Sequence, residues 1–115
     1  MDRRIELIIA RMENQLSNSW EVSKLAGLVN LSASRLRHLF KQETGVTPVQ
    51  YLRELRLRRA GELLTTTFLS VKEVMSQVGL ASTSHSARLF KKMYGVSPTV
   101  YRKTMLTQKR RKKDR

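Results

Sequence analysis

Residues 39–48 read LFKQETGVTP, and residues 89–98 read LFKKMYGVSP: nearly the same ten residues, displaced by 50 positions. A chain of 115 residues repeating itself at that spacing has room for two copies of one small unit and the segment between them. The whole chain holds two prolines and five glycines, so long segments run without a breaker. Their apolar residues recur with the period of a helix.

The helices follow from that spacing. Ile5, Ile8, Ile9, Met12 and Leu16 mark a first amphipathic helix, closed by Ser17-Asn18-Ser19. Trp20, Val22, Leu25, Ala26 and Val29 mark a second, and Leu36, Leu39 and Phe40 a third, opened by Ser32 as N-cap and ended by Gly45. From Pro48 to about Leu64 the pattern persists longest, with Tyr51, Leu52, Leu55, Ala60, Leu63 and Leu64 inward and Arg53, Glu54, Arg58, Arg59 and Glu62 outward. At 1.5 Å per residue this is a rod of about 25 Å lying between the two repeats. After three threonines, Ser70-Val71-Lys72-Glu73 has the form of a capping box, in which hydroxyl and carboxylate satisfy backbone donors at a helix start. Val71, Val74, Met75 and Val78 continue that helix to Gly79. Ser82 can cap the next, whose inward residues are Leu89, Phe90 and Met93.

Each copy is therefore a short helix, a turn residue that tolerates a left-handed backbone (Asn30, then Gly79) and a second short helix. Ala26 is small enough to let the first pair cross closely. This is the pattern of a helix-turn-helix, a rigid pair that can present its second helix to a groove. With Leu36, Leu39 and Phe40 facing in, Ser34, Arg37, His38 and Lys41 share the opposite face; fifty positions on, that face is Ser84, Ala87, Arg88 and Lys91. Polar and cationic side chains on such a face can reach base edges and phosphates in a major groove. Lys41, Lys91 and Lys92 are placed to meet phosphates. Thr47 and Ser97 cap the helices that begin at Pro48 and Pro98, while Trp20, Tyr51 and Tyr101 read as packing residues.

Charge agrees with that reading. Against 9 acidic residues stand 23 basic ones, a net charge of +14, which calls for a polyanionic partner, nucleic acid or an acidic membrane surface. Residues 102–115 hold eight basic side chains and one acidic, so half of the net charge lies there and half in the body of the chain. Cysteine is absent, which removes disulfides, thiolate metal sites and cysteine nucleophiles. Asp2 and Asp114 sit at the two ends, and His38 and His85 have neither metal-ligand nor acid–base spacing. No enzyme, cofactor or metal site is expected, and no membrane span.

With these residues in view, the chain resembles the DNA-binding domain of the AraC/XylS family of bacterial transcription regulators. The likeness runs through WEVSKLAGLVNLSASRLRHLF, GVTPVQYLRELRLRRAGELL, SVKEVMSQVGL and LFKKMYGVSPTVYR, from about residue 5 to 102. It implies an all-α fold of about seven helices in two helix-turn-helix lobes joined by a long central helix. The expected division is residues 1–47 for the first lobe, 48–65 for the linker helix, 66–106 for the second lobe and 107–115 for a disordered basic tail. Recognition helices are implied at about Ala33–Thr44 and Thr83–Tyr94, in successive major grooves of double-stranded DNA. Base-reading positions fall on Ser34, Arg35, Arg37 and His38, and on Thr83, Ser84, His85 and Arg88. The resemblance further implies a cytoplasmic, nucleoid-associated activator touching RNA polymerase, with a possible effector or dimerisation domain N-terminal to this one. The chain departs from the family at Ser86 for a buried apolar residue, Leu80 for Phe, and Met75 for a small Ala. Met75 is expected to fill space vacated at Leu80 or Ser86. The alternative functions are a nonspecific basic nucleic-acid binder and a helical module acting on membranes or proteins through its tail.

Overall fold

A computed structural model describes the backbone of residues 1–81 and 84–113 and the side chains of residues 1–81 and 84–108. Among the described residues there are seven helices and no strand: α1 (Arg3–Asn14), α2 (Val22–Leu28), α3 (Ala33–Thr44), α4 (Pro48–Thr66), α5 (Val71–Gln77), α6 (Ser84–Tyr94) and α7 (Pro98–Lys113). They form two compact units, Met1–Leu55 and Arg56–Arg115. The division falls inside α4.

The first unit is built on Ile5, Ile8 and Met12 of α1, Leu25 and Ala26 of α2, Leu36 and Phe40 of α3, and Leu52 of α4. Each large side chain taken out of water contributes about 1.5–3 kcal/mol against the conformational entropy lost on folding. Tyr51 meets Phe40 edge to face at 5.4 Å. Trp20 lies ahead of α2 rather than within it; it packs on this core and its indole N–H donates to the Gln15 carbonyl at 3.1 Å, satisfying an acceptor at the end of α1.

Both turns have the expected left-handed residue, Asn30 at φ 57° and Gly79 at φ 82°. The Leu31 N–H donates to the Ala26 carbonyl at 3.0 Å and the Leu80 N–H to the Met75 carbonyl at 2.8 Å, the same closing bond in both copies. That bond shows that Ala26 corresponds to Met75, one position short of the fifty that relates the following helices. Asn30 precedes the buried Leu36 by six residues, while Gly79 precedes the buried Ser86 by seven. The second turn is one residue longer.

The second unit buries Leu57, Ala60, Leu63 and Leu64 of α4, Val74, Met75 and Val78 around α5, and Ser86 and Phe90 of α6. Phe90, Tyr94 and Tyr101 form an aromatic group, Phe90 stacked on Tyr94 at 4.5 Å and edge-on to Tyr101 at 5.4 Å. Arg102 ties the unit together: its Nε donates to the Leu64 carbonyl at 2.9 Å and its guanidinium also donates to the Leu69 carbonyl. A carbonyl in the last turn of α4, that of Leu64, and one in the connection to α5, that of Leu69, are thereby satisfied. Ser70 and Glu73 form the capping box in full, each side chain accepting from the other residue's N–H at 3.1 Å.

Four expectations change. Met93 is exposed, 40% of it open to solvent, because after Phe90 the residue on the core side is Tyr94, one full turn on. Leu57 joins the buried set, and Arg53 and Glu54 are half-buried rather than outward. Helix α4 runs two residues past Leu64, where the hydroxyls of Thr66 and Thr67 donate to the Glu62 and Leu63 carbonyls, each at 2.7 Å, and prolong the helical pattern. Helix α7 continues to Lys113, through most of the stretch expected to be a disordered tail. It meets no breaker after Pro98, and cations favour a helix C-terminus.

Candidate nucleic-acid interface

Helix α3 starts where Ser32 accepts a hydrogen bond from the Arg35 N–H at 3.1 Å, and stops at Gly45, φ 84°. Both signals are local, which is why the sequence located this helix at Ala33–Thr44. Leu36 and Phe40 are fully buried, and the periodicity of the helix then turns Ser34, Arg35, Arg37, His38 and Lys41 to solvent; all five are exposed. The structure thus places the first-lobe residues on one rigid, accessible helix.

Ser34, Arg35 and His38 line a cleft of about 410 Å³ together with Leu31, Leu39, Gln42 and Arg4. Arg37 and Lys41 are exposed on the same helix outside it. Arg4 and Gln42 are absent from the expected set. No local pattern could have shown Arg4, which arrives from α1. Its position is set by Asp2, the N-cap of α1, whose carboxylate accepts from the Arg4 backbone N–H at 2.8 Å and from its guanidinium at 3.0 and 3.2 Å. The guanidinium, first, and then the backbone N–H hold the Asp2 carboxyl below the usual carboxylate range. The Asp2 N–H donates to Glu43 Oε1 at 3.1 Å, joining the start of α1 to the end of α3.

In the second lobe Ser84, His85, Arg88, Lys91 and Lys92 are exposed, and Ala87 is half-buried. The Arg88 Nε donates to the Ser84 carbonyl at 3.4 Å, folding this side chain back toward the start of α6. Thr83, an expected base reader, and Ser82, an expected cap, lie outside the described residues. Lys41, Lys91 and Lys92 all stand in the last turn of their helices, where the helix dipole favours a cation as well as any phosphate does.

The helices that follow begin as expected. Thr47 Oγ1 accepts from the Gln50 N–H at 3.2 Å and Gln50 Oε1 from the Thr47 N–H at 3.1 Å, while Ser97 Oγ accepts from the Val100 N–H at 3.3 Å. Among the described residues there is no cluster that could hold a metal ion, and no helix long and apolar enough to cross a membrane.

A family model described as a helix-turn-helix domain matches residues 25–104. The chain belongs to the AraC/XylS family. This AraC/XylS-family DNA-binding domain is 33% identical over 102 residues to the transcriptional regulator MtrA of Neisseria gonorrhoeae, covering 89% of the chain and 34% of the relative. It is 30% identical over 99 residues to the transcriptional activator RhaR of Mannheimia succiniciproducens, covering 86% and 36%. Among solved structures it is similar to the DNA-binding domain of the global transcriptional factor AdpA in complex with a target DNA, with a TM-score of 0.87 and 27% identity over 93% of this chain and 96% of that one. The chain spans about a third of the length of the curated relatives it matches. The family is one of DNA-binding transcriptional regulators and not of enzymes.

Proposed function

We propose that the domain reads a specific double-stranded DNA site, α3 and α6 entering successive major grooves, and so regulates transcription in a bacterium as an activator. The observation that carries the reading is the division of α3: Leu36 and Phe40 wholly buried, and Ser34, Arg35, Arg37 and His38 exposed together on a capped helix. A helix gripped that firmly presents guanidinium and imidazole groups to base edges from a backbone that is already ordered, and Arg suits the guanine edge best. Ser84, His85 and Arg88 take the same part on α6, Thr83 joins them as a base reader, and Lys41, Lys91 and Lys92 meet phosphates.

Several further parts belong to this proposal. The activator role follows the name of the RhaR relative, and with it contact with RNA polymerase in the cytoplasm, on nucleoid DNA. The relatives' greater length leaves room for an effector or dimerisation domain in a parent protein. Selection of bound duplexes from a random pool tests the central claim. The expected result is a site with two halves about one helical turn apart, preferred over unrelated duplex by at least about a thousandfold. Equal binding to all duplexes would replace it with nonspecific binding.

A further inference from the structure

In the first lobe the recognition helix is held near its middle. Leu36 and Phe40 are both wholly buried, and the residue at the helix end, Thr44, satisfies itself locally: its hydroxyl lies 2.8 Å from the Phe40 carbonyl and 3.0 Å from that of Val46. In the second lobe the position of Leu36 is taken by Ser86, buried but small and polar, so α6 has lost an apolar grip beside its base-reading half. The position of Thr44 is taken by Tyr94, whose ring stacks on Phe90 at 4.5 Å and lies 4.7 Å from that of Tyr101. Its hydroxyl donates to the Leu57 carbonyl of α4 at 3.4 Å.

That ring reaches α4 only because residue 61 has no side chain. A Cβ at the buried Gly61 would stand 2.6 Å from the Tyr94 hydroxyl oxygen and 2.9 Å from its Cζ, closer than such atoms come. Glycine inside a helix costs roughly 1 kcal/mol relative to alanine, so a reason for it must lie outside helix propensity. Here the reason is the aromatic ring lying against the helix backbone.

We infer that Tyr94 seated on Gly61 is a positioning device that sets the angle of α6 within its lobe and so decides which bases the second lobe prefers. The reading residues stand at the other end of α6. Ser84 is ten residues from Tyr94, about 15 Å along the axis, so a swing of about 5° about the anchored end moves it by roughly 1.3 Å. That displacement exceeds the window of roughly 0.5 Å within which a hydrogen bond keeps its strength. The inference rests on the DNA-reading role proposed above, and it assigns to two residues that touch no base the control of the second half-site.

The test uses the full chain and a duplex selected from a random pool, with single base-pair changes introduced separately in each half-site. For the wild-type protein a change in either half is expected to weaken binding by roughly tenfold or more. Gly61→Ala, which displaces the ring, is expected to cut the penalty for changes in the second half-site to under about threefold while penalties in the first remain. Tyr94→Phe keeps the ring and is expected to keep both sets within about twofold. The double variant Gly61→Ala with Tyr94→Thr removes the clash and is expected to keep the helical content, at a lower thermal midpoint because the packing of the ring is lost, and to leave second-half discrimination flat. A merely structural role would lower stability and overall affinity and leave the ratios untouched; that result, or a double variant that discriminates like the wild type, overturns the inference. A wild-type protein without a preferred site overturns the DNA reading itself, and the two failures are thereby told apart.

Discussion

Arg37 and Lys41 stand one turn apart on α3, both exposed, and their chemistry separates their parts. A guanidinium matches two acceptors on a guanine edge, whereas an ammonium on a flexible stem near a helix end offers only a point charge to a phosphate. Arg37→Ala is expected to cost about 1–3 kcal/mol of binding to the selected site and to relax base preference, with little loss on random duplex. Lys41→Ala is expected to weaken both alike and to lower the salt slope by about one. Fluorescence titrations on both duplexes at several salt concentrations check this, and equal losses for Arg37→Ala would remove it from the base readers. Residues such as Arg102 show the limit of reading position by position. Its partners, the carbonyls of Leu64 and Leu69, are 38 and 33 residues away, and no local pattern distinguishes this arginine from those proposed to read bases.

At the level of elements, local caps made the helix starts legible. The Ser70–Glu73 box is present in full, and the Ser70 backbone N–H, followed by its hydroxyl, holds the Glu73 carboxyl below its ordinary 4.5. A carboxyl whose folded value is depressed adds stability above its unfolded value and loses it as pH falls through the folded one. The wild type is therefore expected to exceed Glu73→Gln in thermal midpoint at neutral pH, and the gap to close as pH drops below the ordinary value; a gap constant with pH would show that charge has no part in the cap. Packing between elements is a different matter. Ala26 and Leu36 of the first helix-turn-helix correspond to Met75 and Ser86 of the second, large for small and small for large, and all four are buried. Met75→Ala is expected to cost about 2–4 kcal/mol in chemical denaturation, and adding Ser86→Leu to recover part of that loss. Simple additivity of the two changes would count against exchanged volumes.

The whole molecule carries +14, and affinity for DNA must fall steeply with salt as counterions are released. Raising salt from about 50 to about 200 mM is expected to weaken binding by at least a hundredfold. Removing residues 107–115, which hold six of the basic side chains, should flatten that dependence and leave the preference for the selected site in place. Loss of the preference along with the tail would move recognition out of the two lobes. The repeat, the helical periods, the caps and the left-handed turn residues lie within a few positions of one another, and for that reason the sequence by itself determined two helix-turn-helix lobes and the exposed face of α3. The tertiary structure alone decided what depends on residues far apart in the chain. It seated Tyr94 rather than Met93 on the core, set Gly61 beneath that ring, fastened Arg102 to α4 and brought Arg4 into the cleft beside α3. Those choices turn on space left between helices, and a sequence records only the residues that fill it.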